Sequence, residues 1–182
     1  DYSLKEKRDW STVRFLFAGR LEEIKGLKYL LDSFKKISNT YNNCELWIAG
    51  DGTMREYVKN FINENRLGNK IVFLGWRTDI PALLHKTDVF VLPSWEHGQP
   101  VALLEAFASG KIILTSLDFI TDGKDGIKVK PNDTDDLYQK MVNITKNFKK
   151  YSNLSQGAKT TAKFFAWERV VKQFVKEYKR AL

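Results

Sequence analysis

The stretch Leu92-Pro-Ser-Trp-Glu-His-Gly-Gln-Pro-Val-Ala-Leu-Leu-Glu-Ala-Phe-Ala-Ser-Gly110 most narrows what this chain can become. An apolar run, Val89-Phe-Val-Leu92, stops at Pro93, and a second, Ile112-Ile-Leu114, starts just after Gly110. Between them Pro100 can open a helix, because proline is favoured at the first helical position. Gly110 can close that helix in a left-handed cap. The order strand, polar loop, helix, glycine, strand is a βαβ unit. Its loop lies at the carboxyl end of the first strand, where open α/β sheets bind ligands.

Two features give this loop chemical content. The first amides of the helix, on Val101, Ala102 and Leu103, form a positive end that binds phosphate readily. Glu105 then sits inside Ala102-Leu-Leu-Glu-Ala-Phe-Ala108, otherwise apolar almost all round. A carboxylate there is costly unless hydrogen-bonded. Helical side chains tilt towards the helix N-terminus, so Glu105 aims at the same end as the amides. A diphosphate followed by a ribose diol would satisfy both. A plainer reading of the same residues is a buried glutamate bonded to a backbone group or to a lysine.

At 182 residues one domain is the default. A single cysteine, Cys44, excludes a disulfide framework and a cysteine-based zinc cluster, and fits a reducing compartment. Two histidines, His85 and His97, are too few for a histidine metal site, so no metal is expected. No apolar run approaches the roughly 18 residues of a membrane span, and the polar start shows no signal peptide. The chain begins without Met, so it is read as cut from a longer one. A net charge of +8 suggests nucleic acid, a membrane surface or a phosphorylated substrate. The densest basic residues, Lys146 to Lys150 and Lys163 to Arg180, alternate with apolar ones at helical spacing. They read as solvated helix faces rather than an RNA-binding stripe, and no nucleic acid partner is expected.

Residues 1–12 are charged and aperiodic, a linker or N-terminal extension. Strands are expected over 13–18, 45–49, 70–75, 88–92, 111–115 and 127–129. Leu27, Leu30, Leu31, Phe34 and Ile37 mark an amphipathic helix. Thr53, with Glu56 three residues on, suggests a capping box before a helix faced by Met54, Tyr57, Val58, Phe61 and Ile62. Residues 79–85 form a short helix, and residues 133–148 a longer one opened by acidic residues. The tail, 152–182, reads as one or two helices, with Trp167, Val171, Phe174 and Tyr178 at helical spacing. Crossovers of this length require parallel neighbours, and strands without strict alternation are covered on both faces. The expected fold is a doubly wound, Rossmann-like α/β domain over residues 13–182, with about six parallel strands and helices on both faces. Its strand-to-helix loops, 19–26, 50–53, 75–78, 93–99 and 115–118, would then gather round one crevice. Arg20 and Lys25 would join the amides and Glu105 there, arginine suited to bidentate phosphate contact and lysine to a compact charge.

The motifs Ala18-Gly-Arg-Leu-Glu-Glu-Ile-Lys-Gly26, Ile48-Ala-Gly-Asp-Gly52, Ile71-Val-Phe-Leu-Gly75, Thr87-Asp-Val-Phe-Val-Leu-Pro-Ser94 and Gly98-Gln-Pro-Val-Ala-Leu-Leu-Glu-Ala-Phe-Ala-Ser-Gly110 follow in order along nearly the whole chain. Together they resemble the C-terminal, donor-binding half of family 4 (group 1) glycosyltransferases, which have the GT-B fold. The resemblance implies that Arg20 and Lys25, beside Gly19, contact a diphosphate and that Glu105 holds the ribose hydroxyls. It places Gly52 on the same edge, Trp76 and Arg77 beside the base, and Gly98, Gln99, Pro100 and Val101 beside the phosphates and sugar. The parent reaction would be retaining transfer of a sugar from a nucleoside diphosphate sugar, such as UDP or GDP sugar, to a hydroxyl. It would need neither metal nor further cofactor. The acceptor-binding N-terminal half has no counterpart in this sequence and is the implied partner. The implied location is cytoplasmic, peripheral at the inner membrane face.

Two departures from the family pattern bear on catalysis. The family usually carries a glutamate seven residues before the ribose-binding one; that position holds His97, with Glu96 one residue earlier. Either Glu96 swings in through a local shift of the loop, or His97 takes the sugar-contacting role, or this chain handles the sugar differently or poorly. After the fifth strand, Ser116-Leu-Asp-Phe-Ile-Thr-Asp-Gly123 stands where a Gly-Gly-x-Pro-Glu-like segment is usual. Two other classes of function compete: a nucleotide-sugar epimerase of the same fold, for which only Glu96 and Asp118 are available as acid–base carboxylates, or a phosphorylase of that fold, for which no pattern of a lysine anchoring pyridoxal phosphate is found; and a basic, non-enzymatic interaction module.

Overall fold

Strands that are apolar at every position must be covered on both sides, and the centre of this sheet obeys that rule. In the computed structural model, which describes residues 11–95 and 100–181, β4 (Val89–Leu92) and β5 (Ile112–Thr115) are buried at every residue. β1 (Val13–Ala18) is buried at all but Arg14. β2 (Cys44–Ala49), β3 (Ile71–Gly75) and β6 (Ile127–Lys128) complete one parallel sheet in the order β3-β2-β1-β4-β5-β6. Towards the edge, β3 opens to solvent at Val72.

Among the described residues seven α-helices connect and cover the strands: α1 (Leu27–Ser38), α2 (Arg55–Glu64), α3 (Ile80–Lys86), α4 (Val101–Ala108), α5 (Thr134–Lys146), α6 (Leu154–Phe164) and α7 (Trp167–Ala181). α1 packs on α5; α4 packs on α6 and α3. Phe15, Phe17, Phe34, Phe90 and Phe107 are fully buried. At about 25 cal/mol per Å² of apolar surface, each such side chain is worth roughly 1.5–3 kcal/mol.

The doubly wound sheet expected from sequence is the one observed, with element ends shifted by one or two residues. Two local readings change. Pro100 is the N-cap of α4, in extended backbone, rather than its first helical residue. The capping box does not form: α2 has no side-chain cap, and the Thr53 hydroxyl instead donates to Glu22 at 2.8 Å. By contrast, Asp133 does cap α5, accepting from the Asp136 amide at 2.9 Å. The tail forms two helices, α6 and α7. No residue of α7 is buried, and Trp167, Phe174 and Tyr178 stand 76%, 61% and 70% exposed.

Candidate donor site at the β1–β4 switch

β1 and β4 are neighbours, but the chain leaves them in opposite directions, β1 towards β2 and β4 towards β5. Such a switch leaves a crevice at the strand ends. Here it is a cavity of about 310 Å³. Ala18, Ala49 and Leu92, the last residues of β1, β2 and β4, line it together with Ile80 of α3. Arg20, Lys25, Trp76, Arg77 and Glu105 also face it, with the Gly19 and Gly50 backbone and the start of α4.

The loops that form this edge are laced by main-chain bonds. The Gly50 amide donates to the Gly75 carbonyl at 2.7 Å, the Gly19 amide to Ala49 at 3.1 Å, and the Trp95 amide to Ile24 at 3.1 Å. Side chains continue the lacing: the Ser94 hydroxyl donates to the Ile24 carbonyl at 3.1 Å and the Ser116 hydroxyl to the Ser94 carbonyl at 2.5 Å. Two glycines make this closeness possible. Gly26 is left-handed (φ 74°), and a Cβ there would lie 2.0 Å from the Pro93 carbonyl oxygen. Gly50 (φ 148°) would carry its Cβ 1.9 Å from the Gly19 carbonyl oxygen. No L-residue other than glycine fits such approaches.

Lys25 ends a short 3-10 turn (Glu23–Lys25) whose left-handed cap is Gly26. The turn draws the lysine inward, to 9% exposure, against the cavity. Arg20 reaches the same cavity from an exposed position one residue beyond Gly19. Arg77 is held by a bidentate bond to Asp79, at 2.7 and 2.6 Å. That guanidinium keeps the Asp79 carboxyl below the ordinary carboxylate range. Trp76 is 71% exposed, an aromatic surface at the cavity.

Glu105 is half-buried and lines the cavity. Burial pushes its carboxyl above the ordinary value. It is therefore not sequestered in the core, as the apolar flanks suggested; the helix turns it towards the hollow. The positive end of α4 also differs in detail. The Leu103 amide already donates to the Pro100 carbonyl at 3.0 Å. Among the described residues, the amides of Val101 and Ala102 are the ones left to face a ligand.

The structure thus brings Gly19, Arg20, Lys25, Trp76, Arg77, Pro100, Val101 and Glu105 to one cavity. Gly52 is absent from its lining; its conformation (φ 153°) accommodates the Leu21 backbone, and Gly50 takes the cavity position instead. Residues 115–118 do not line it either, and Asp118 is ion-paired with Lys128 at the surface. Glu96, His97, Gly98 and Gln99 lie outside the described residues. Sequence reading missed Ala18, Ala49, Ile80 and Leu92, which carry no signal separating a cavity wall from ordinary core.

Comparison with known proteins bears on the family and the fold. The family profile described as "Glycosyl transferases group 1" matches residues 12–147. The chain is 33% identical over 139 residues to UDP-Gal:alpha-D-GlcNAc-diphosphoundecaprenol alpha-1,3-galactosyltransferase of Escherichia coli, covering 72% of this chain and 36% of that protein. It is 31% identical over 176 residues to the uncharacterized glycosyltransferase MJ1607 of Methanocaldococcus jannaschii, covering 92% and 45%. The chain therefore spans about a third to a half of the length of the curated relatives it matches. In fold it is similar to TarM of S. aureus, with a TM-score of 0.84 at 17% identity over 97% of this chain and 37% of that one. A C-terminal domain of LpcC from Francisella tularensis matches as a whole unit, with a TM-score of 0.75 at 19% identity over 83% and 84% of the two chains. Domain size, strand order and profile converge, and the chain belongs to the group 1 glycosyltransferases.

Proposed function

We propose that the β1–β4 cavity binds the nucleoside diphosphate of a sugar donor, and that the chain is the donor-binding half of a retaining glycosyltransferase. The observation that carries this is the convergence of Arg20, Lys25, the amides of Val101 and Ala102, and Glu105 on one hollow. Arg20, Lys25 and the helix end face the diphosphate; Glu105 accepts from the ribose hydroxyls; Trp76 and Arg77 flank the base. As the bond between the anomeric carbon and the diphosphate breaks, negative charge grows on the leaving oxygen. Fixed cations and helix amides aimed at that charge stabilise the transition state more than the ground state. Glu96 or His97 is assigned the sugar end, and the acceptor hydroxyl comes from a partner half that closes over the cleft.

Uridine is the first base to test, since TarM, GtfA and Alr3699/HepE have been solved in complex with UDP. A lipid-linked acceptor at an inner membrane face is the acceptor class proposed, because the relatives of Escherichia coli and Campylobacter jejuni act on diphosphoundecaprenol-linked sugars. No described helix is long and apolar enough to cross a membrane.

The test is the shift of melting temperature with UDP, GDP and ADP, since a ligand of the native state stabilises it by mass action. One diphosphate is expected to stand out, and its effect to fall at least tenfold in apparent affinity in Arg20→Gln/Lys25→Gln. That loss corresponds to about 1.4 kcal/mol or more. No stabilisation by any nucleoside diphosphate, at concentrations up to about 1,000 times a micromolar Kd, would remove the reading. The 182-residue chain alone is expected to bind nucleotide without transferring sugar; transfer by the chain alone would contradict the division into two halves.

A further inference from the structure

The net charge of +8 is not spent at the donor cavity, where Arg20, Lys25 and Arg77 are the basic residues among those described. A second hollow, of about 730 Å³, lies at the other end of the strands. Val13, the first residue of β1, and Asn43, just before β2, line it, whereas the donor cavity is lined by the last residues of those strands. Six residues of strand separate the two ends, on the order of 17 Å at 3.3 Å per step.

The chemistry of this hollow is one-sided. Lys146, Lys149 and Lys150 line it with Asn43, Asn147 and Ser152, and no carboxylate joins them among the described residues; the Ser152 hydroxyl donates to the Lys149 carbonyl at 2.8 Å and holds that turn in place. Lys146 is held by Tyr41, its ammonium 5.6 Å from the ring centroid. A buried polar atom supplies an independent sign. Thr145, 6% exposed, lines the same hollow, and its hydroxyl has no hydrogen-bond partner. An orphaned buried hydroxyl costs free energy and is rare enough to require an explanation. A ligand with several acceptor oxygens answers it: the Thr145 hydroxyl donates, and the ammonium groups balance the charge. Phosphate is such a ligand, and lysine binds it as a point charge.

We propose that the cleft formed by Thr145, Lys146, Lys149, Lys150, Asn43 and Ser152 is a second anion site, built for a phosphate group and separate from the donor cavity. The phosphate can come from a lipid headgroup, fixing this face of the chain on an anionic bilayer, or from a soluble phosphate compound.

Amide chemical shifts of the whole chain, followed during titration with inorganic phosphate at low salt and saturating UDP, test the site. Residues 145–152 should shift saturably, and Lys149→Gln/Lys150→Gln should weaken that response at least fivefold. Lys172→Gln/Lys176→Gln, which removes the same charge from α7, should leave it unchanged. Thr145→Val should weaken it while leaving the fold intact, as read from the unchanged UDP response. Cosedimentation with phosphatidylglycerol and with phosphatidylcholine vesicles separates the sources. Selective loss of phosphatidylglycerol binding in the Lys149/Lys150 variant supports the lipid headgroup; a localised phosphate response without vesicle binding supports a soluble ligand. No localised response in the wild type, or equal losses in the two double variants, overturns the site and shows only diffuse charge. The donor reading stands or falls separately, on the UDP response.

Discussion

Glu105 shows how the wall of a cavity can cost stability. Its carboxyl is raised by burial at the wall of the cavity. An acid whose pKa rises on folding destabilises the native state while ionised, and that cost vanishes as pH falls to the unfolded value, near 4.3 for glutamate. Ligand-free Glu105→Gln should therefore melt higher than the wild type at pH 7, with the difference gone by about pH 4. Melting curves across that range check it. Binding should move the other way. A carboxylate accepting from ribose hydroxyls is worth about 1.5–3 kcal/mol, so the same variant should bind nucleoside diphosphate at least tenfold more weakly. Calorimetric titration reads this directly; equal affinity would take the ribose away from Glu105. The existence of this acid near a helix N-terminus was legible, because a charged residue in an apolar run demands a reason. Its half-exposure was not, because periodicity does not tell a cavity wall from a core.

Among the elements, the connecting loops carry more specification than their length suggests. Their glycines look alike in sequence yet do different work. Gly26 and Gly50 are required by carbonyl oxygens about 2 Å from where a Cβ would stand. Gly52 serves the Leu21 backbone rather than the cavity. Gly26→Ala should destabilise by about 2–4 kcal/mol, combining a left-handed backbone with a main-chain clash. Gly68, with open space around it and no positive φ, should accept alanine within about 0.5 kcal/mol. Urea unfolding of the two variants separates them. Alternating strands and helices were readable because their periods are local. The Thr53–Glu56 capping box failed for the opposite reason: Glu22, 31 positions earlier in the chain, competes for the threonine hydroxyl. Which glycine reaches the cavity likewise depends on how neighbouring loops meet.

At the scale of the molecule, the sheet and its two helical layers are complete around one core, but α7 is not part of that core. Removing residues 167–181 should shift the melting temperature by less than about 4 °C, the size of a 1 kcal/mol change in a domain of this length. A larger shift would mean that the helix packs more tightly than its exposure indicates. A doubly wound sheet with its loops round one crevice followed from chain pattern and resemblance together; the strand order that sets the hollow between β1 and β4 and the basic cleft at the far end did not, since neither pairing of distant strands nor the meeting of Thr145 with Asn43 leaves a local signal. The lacing of the loops has one more effect. Because backbone amides and carbonyls supply much of the framing between Gly19, Gly50, Gly75 and Trp95, the identities of the side chains pointing inwards can drift while the frame persists. Changing what such a hollow accepts then becomes a matter of swapping side chains, with the scaffold left untouched.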